Sequence, residues 1–199
     1  MKILALELST ACGGLAWLEP HVEFEREWPN DRKNSALFFE NLQNVRRKFG
    51  VPDTIVIGLG PGSYAGTRIA ISAGIGLQVC CEAHLIGYPS ICAMESDTGE
   101  YCVVGDARRE SFFFGRVVRN ELVDGPMLCS GPTLKAKLES LDATIAVFSS
   151  ELLPQFGRAV IGYPSALILA KLAQKARLSF SSPPLEPIYL REPHITISK

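Results

Sequence analysis

The feature that constrains this chain most is GLGPGSYAG (Gly58–Gly66), set where the apolar run TIVIG turns into a segment patterned as helix. Glycines at such a turn permit positive φ and let loop backbone lie directly against a strand, which places the segment in an α/β fold. Gly60, Gly62 and Ala65 satisfy G-x-G-x-x-A, a variant of the dinucleotide fingerprint. Two observations oppose that reading. A strand meander and a helix precede the loop, whereas the fingerprint opens its domain. The acid it needs about 20 residues on is also misplaced: Glu82 comes before the strand HLIGY, which ends on Gly87, Tyr88 and Pro89. A phosphate-binding P-loop requires G-K-[ST]; here Arg68 comes two places after Gly66 and no Lys follows the glycines. The loop therefore reads as a tight turn built for close packing.

Upstream, KILALEL (2–8) has the pattern of a buried strand, and a polar, glycine-ended turn follows it (Ser9–Gly14). LAWLE is a second strand. In HVEFEREW, Val22, Phe24, Arg26 and Trp28 alternate with Glu23, Glu25 and Glu27, a third strand with one wet face. An antiparallel meander results. Asn34 and Ser35 offer an N-cap for a helix to about Phe49, stopped by Gly50 and Pro52. Its residues Phe38, Leu42, Val45 and Phe49 fall on one stripe. The glycine loop opens a helix to about Cys81, followed by a short strand, HLIGYP, and a short helix at SICAME.

From Tyr101 the order recurs: a strand YCVVGD, a hairpin of SFFFGRVV and ELVDGPMLC, a helix Pro132–Leu141, a strand TIAVFS, a helix Ser165–Leu178 and a Pro-punctuated extended tail. The halves rhyme in their elements without a residue-level repeat. Two lobes are expected, residues 1–100 and 101–199, joined at the polar stretch SDTGE. A length of 199 residues suits two small lobes, and 47% hydrophobic residues suffice for a buried core.

In the helix after the loop, Gly66, Ala70 and Gly74 recur every four residues, with Ala73 and Leu77 on the same side. A stripe of small side chains lets another backbone come close. Each glycine inside a helix costs about 0.5–1 kcal/mol relative to Ala. Gly66 can be assigned to the loop, but Gly74 and Gly76 call for compensation. A close helix contact is expected, either with the helix bearing Phe38 and Leu42 or with a second chain.

Groups able to do acid–base or metal chemistry are few. The three histidines, His21, His84 and His194, are far apart, and no ligand cluster completes a metal site. Ser9 and Ser63 lack a local base, and the glycine register of a nucleophile elbow fails around Ser63. Asp106 and Arg108, in DARRE at a strand end, could bind a phosphate or form an ion-paired corner. The balance of 20 Lys+Arg against 21 Asp+Glu argues against a large basic face for nucleic acid. The six cysteines form no C-x-x-C pair and sit among apolar neighbours, as core residues of a cytoplasmic protein would. No apolar run is long enough to span a membrane, and the N-terminus lacks the pattern of a signal peptide.

Taken together, KILALELST, GLGPGSYAGTRIAISAGIGLQ, VVGDARRESFFFGRV and PLEPIYLRE resemble, in order and across nearly the whole chain, the TsaB (YeaZ) family of tRNA threonylcarbamoyladenosine biosynthesis. The resemblance implies a two-lobed actin-like, sugar-kinase-like (ASKHA) α/β fold of mixed sheets flanked by helices. It implies a cytoplasmic scaffold without catalytic or metal-ligating residues of its own. The partners implied are a TsaD-like catalytic paralogue and a TsaE-like ATPase, with ATP and metal on the partner subunit, tRNA met only through the complex, and a homodimer as a further form. Partner contact through the first-lobe helices would fall on Phe38, Leu42, Val45, Gly66, Ala70, Ala73, Gly74 and Leu77. Gly60, Gly62, Ser63 and Arg68 match the family's glycine segment. The family's early Asp is Glu7 here, and the Thr after its aromatic is Ala65. The competing expectation is a small actin-like ATPase or kinase that binds Mg-ATP at the Glu7–Thr10 turn.

Overall fold

The computed structural model describes residues 1–30, 35–175 and 178–191. The first sheet is built from β1 (Ile3–Glu7), β2 (Cys12–Glu19), β3 (Val22–Pro29), β4 (Thr54–Gly58) and β5 (His84–Tyr88), with helices α1 (Ala36–Phe49) and α2 (Tyr64–Cys81) in the crossovers. The second sheet holds β6 (Glu100–Asp106), β7 (Ser111–Val118), β8 (Glu121–Ser130), β9 (Ala146–Ser149) and β10 (Ala159–Ile161). Helix α3 (Gly131–Ser140) precedes β9, and α4 (Ala166–Ala173) follows β10.

The strand orders are β3-β2-β1-β4-β5 and β10-β9-β6-β7-β8. Counted within its own set, each sheet runs third, second, first, fourth, fifth. In each, the first strand pairs antiparallel with the second and parallel with the fourth. This duplicated mixed sheet is the two-lobed actin-like, sugar-kinase-like architecture expected from the motifs.

Side-chain alternation assigns each face of the first sheet. Ile3, Ala5 and Val56 point into the core between the lobes, while Leu4, Leu6, Ile55 and Ile57 point outward, under α1 and α2. Ala166, Leu169, Ala170 and Leu172 of α4 fill the core between the sheets with Tyr101 and Val103. A third cluster lies beneath α3, around Leu134, Leu138, Val104 and Phe114. Glu25 of β3 ties α4 in place, its Oε1 accepting from Ser165 Oγ at 2.8 Å and Leu167 N at 3.0 Å. The chain after α4 returns to the first sheet, where Ser181 bridges Gly87 and Leu185 is buried beneath α2.

Two local expectations differ from the structure, and one strand went unread. Strand β10 has only three residues, with Val160 and Ile161 exposed, too short for any alternation to show. Helix α4 ends at Ala173 rather than Leu178, once its apolar face is used up. The segment after β5 forms a 3-10 turn, Ser90–Ala93. Ser35 caps α1 without a side-chain bond, and Asn34 lies outside the described residues, as does His194.

Candidate functional site

Four segments meet at one cleft of about 410 Å³ between the lobes: the β1–β2 turn, the glycine loop, the β6–β7 turn and the tail at 187–191. These are the segments that carry the motifs. The β1–β2 turn is clasped by Asn30, whose Nδ2 donates to Leu8 O at 3.3 Å and Thr10 O at 2.8 Å. The glycine loop lies directly on this turn. Ser63 N donates to Ser9 O at 2.5 Å, and a Cβ at Gly62 or Gly66 would overlap the carbonyl oxygen of Ser9 or Leu8. Gly60 has φ +91°, a conformation that favours glycine. Its N–H donates to Ser90 Oγ at 2.8 Å, and its carbonyl accepts from Ser90 N at 2.8 Å. Ser63 Oγ caps α2 by accepting from Gly66 N at 3.3 Å, so this hydroxyl has a structural use.

Glu7 sits under the loop and is fully buried. Its Oε1 accepts from Ser9 N at 2.6 Å, while Oε2 occupies the space a Cβ at Gly58 would fill and makes no hydrogen bond. Burial lifts this carboxyl above its ordinary value of 4.5; the neighbouring Ser9 and Ser90 hydroxyls and the Ser9 N–H pull it part of the way back. A carboxylate that holds hydrated magnesium must face the ligand. Glu7 is sealed beneath the loop instead, so the turn does not fit the Mg-ATP reading. Among the described residues no group of three His, Cys, Asp or Glu is placed to hold a metal.

Asp106 and Arg108 form an ion-paired corner. Asp106 Oδ1 accepts from Arg108 N at 2.6 Å and Oδ2 pairs with Arg108 Nη1 at 3.0 Å. Arg108, Arg109 and Glu110 all take positive φ in this turn. Across the cleft, Arg191 Nη2 donates to Arg108 O at 3.3 Å. Arg68 lies over the Tyr64 ring at 5.0 Å and donates to its hydroxyl, and Tyr189 of the tail packs on Tyr64 at 5.3 Å. His21 and His84 are both exposed. The six cysteines are free; Cys92 and Cys102 are buried, with burial pushing their thiols up to about 12 and 11.

The small-residue stripe packs inside its own lobe, one of the two contacts its spacing allowed. Gly66 seats on Leu8, and a Cβ at Gly74 would lie 2.9 Å from Ile57 Cδ1 and 3.1 Å from Leu85 Cδ1. Ala70 and Leu77 are buried in the same cluster, Ala73 packs at its edge, and Phe38, Leu42 and Val45 of α1 join it from the other side. The close approach is therefore helix on sheet, while Leu42 and Leu77 keep an edge on a groove beside α1. Gly76 differs: a Cβ there would meet nothing within 4 Å. It lies on the outer face of α2 between Ile75, 45% exposed, and Val79, 78% exposed; Phe39 of α1 is 50% exposed on the same side of the lobe.

No family model matches the chain. It is 25% identical to the tRNA threonylcarbamoyladenosine biosynthesis protein TsaB of Haemophilus influenzae, over 96% of this chain and 94% of that protein. Over nearly its whole length the chain is similar to a TsaB protein. Two solved structures share its fold. One is YeaZ from Pseudomonas aeruginosa, with a TM-score of 0.74 and 19% identity over 95% of this chain and 99% of that one. The other, a Pseudomonas aeruginosa protein described as uncharacterised and similar to peptidase YeaZ, has a TM-score of 0.75 and 22% identity over 96% and 99%.

Sequence reasoning missed the outer residues Phe39, Ile75 and Val79. The signal that could have found them is Gly76. Two residues from Gly74, it stands about 200° around the helix, so one surface cannot account for both glycines.

Proposed function

We propose that this chain is a non-catalytic subunit of threonylcarbamoyladenosine formation on tRNA. In this reading the outer face of α1 and α2 docks on a TsaD-like catalytic paralogue. ATP and metal belong to the partner assembly, which includes a TsaE-like ATPase, and tRNA is met only through that complex. The same face would serve a homodimer.

The observation that carries the reading is Gly76. It weakens its helix by about 0.5–1 kcal/mol and no atom of the described residues fills the space beside it. A glycine flanked by exposed Ile75 and Val79 suits the close approach of a foreign backbone. The sealed state of Glu7 and the thin chemistry of the cleft also favour a scaffold over an enzyme.

The test is reconstitution with the purified catalytic paralogue. Val79→Asp should abolish co-elution and the subunit's support of tRNA modification, while the isolated variant keeps the parent's circular dichroism and melting temperature. Modification by this chain alone, or unchanged pairing of Val79→Asp, would overturn the reading.

A further inference from the structure

An outermost strand leaves main-chain donors and acceptors open to another chain, and most edges of the two sheets are guarded against that. The edge of β5 is bridged by Ser181, and β8 is interrupted by Pro126 beside a register shift. Strand β3 carries Glu23, Glu25, Arg26 and Glu27. Strand β10, outermost in the second sheet, has no such guard: its residues Ala159, Val160 and Ile161 include no charge and no proline, and the last two are exposed. Gly162 N donates to Ser149 O of β9 at 3.0 Å. Backbone direction alternates along a strand, so the N–H and C=O of Ile161 face away from β9. Among the described residues neither group has a partner.

Beside this edge lies an open groove of about 620 Å³. Phe148, Ile161 and Tyr163 supply apolar surface, while Glu27, Glu95 and Asp97 supply charge, and no Lys, Arg or His lines it. The three carboxylates are exposed, and none has an ion-pair partner among the described residues. Partial burial, and after it repulsion from Glu25 and Glu95, lifts the Glu27 carboxyl above its ordinary 4.5. The acids do not converge on one point: among the described residues no group of three is placed to hold a metal. Negative charge distributed in this way suits cations distributed along a chain, and Tyr163 adds an exposed ring for one of them.

We propose that the free edge of β10 takes up an extended, basic segment of another protein, whose backbone pairs with Ile161 and whose lysines or arginines meet Glu27, Glu95 and Asp97. Successive side chains of an added strand point to opposite faces. One set would carry the cations into the groove, and the other would be apolar, beside exposed Val160. Ile161 offers the main chain two hydrogen bonds, so charge decides which segment binds. A second copy of this chain is a poor occupant, because pairing two β10 edges would bring two sets of the same three carboxylates together with no cation between them. The site lies on the second lobe and is independent of the docking role proposed for α1 and α2.

The probe is a labelled heptapeptide alternating lysine and valine, titrated into the full chain at about 50 and about 300 mM salt. It should bind saturably. Affinity should fall roughly tenfold at the higher salt, and roughly tenfold for the doubly substituted Glu95→Lys, Asp97→Lys chain, whose folding is checked by its melting curve. Amide exchange at Ile161, followed by NMR, should slow roughly tenfold or more at saturation. Unchanged exchange at Ile161 would mean that the peptide does not pair with the edge. Equal binding by the charge-reversed chain, or of a peptide alternating glutamate and valine, would mean that the carboxylates do not select the occupant. Either result overturns the proposal, as does the absence of binding at both salt concentrations. A dimer seen by light scattering and dissociated by Ile161→Lys would also overturn it, since a second copy would then cover the edge.

Discussion

The three glycines of α2 make a graded test, because each has a different environment for an added methyl. At Gly76 nothing lies within 4 Å, so Gly76→Ala should gain the full helix preference of alanine, about 0.5–1 kcal/mol. For a chain of this length that raises the melting temperature by about 1–4 °C. At Gly74 the same preference is opposed by methyl ends at 2.9 and 3.1 Å, Ile57 Cδ1 and Leu85 Cδ1. Both can shift, at a typical overpacking cost of about 1–3 kcal/mol, so Gly74→Ala should lose between nothing and about 2 kcal/mol. At Gly66 the obstacle is the Leu8 carbonyl, backbone that Asn30 Nδ2 holds at 3.3 Å. Relief means moving the whole β1–β2 turn, and Gly66→Ala should cost about 3 kcal/mol or more. Urea unfolding followed by circular dichroism, with slopes compared across the three, measures each value. Gly76→Ala should also weaken pairing with the catalytic paralogue while it stabilises the isolated chain, a divergence that a purely internal role cannot produce. Destabilisation by Gly76→Ala, or tolerance of Gly66→Ala, would refute the packing argument.

Two further predictions concern carboxyl side chains. Because the Glu7 pKa is raised in the folded state, the fold binds this proton more tightly than the unfolded chain does. The stabilising contribution is complete below pH 4.5 and is lost as pH rises through the folded value; Glu7→Gln should therefore match the parent near pH 4 and exceed it in urea unfolding at pH 8, and an equal advantage at both pH values would show that ionisation is irrelevant. Glu25→Ala removes the acceptor for Ser165 Oγ and Leu167 N and should cost about 1–2 kcal/mol, with faster amide exchange in α4; protection of α4 left at the parent's level would mean that the cap contributes nothing.

How much was legible depended on whether the signal was local. The meander and the strand β4 follow from short apolar runs bounded by turns. The duplicated topology was visible because each half repeats its elements in the same order. The role of the stripe was not legible, since small residues at Gly66, Ala70 and Gly74 state only that something comes near. That the neighbour is the sheet follows from Ile57 and Leu85 pointing outward from adjacent parallel strands, a long-range pairing that no helical periodicity encodes.

The segments that carry the family motifs line the cleft, yet the docking face proposed for the chain is on the outside of α2. The two are joined through the first turn of that helix. The Ser9 carbonyl holds Ser63, Ser63 caps the helix, Gly66 seats on Leu8, and Tyr189 packs on Tyr64. Each contact fixes where α2 starts and how it is rotated about its axis, and therefore where Ile75, Gly76 and Val79 point three turns later. A rigid helix loses little freedom on binding, so a surface aimed in this way gains affinity without adding a contact. For the docking role proposed, the motif residues around the cleft have a physical use: they orient the helix.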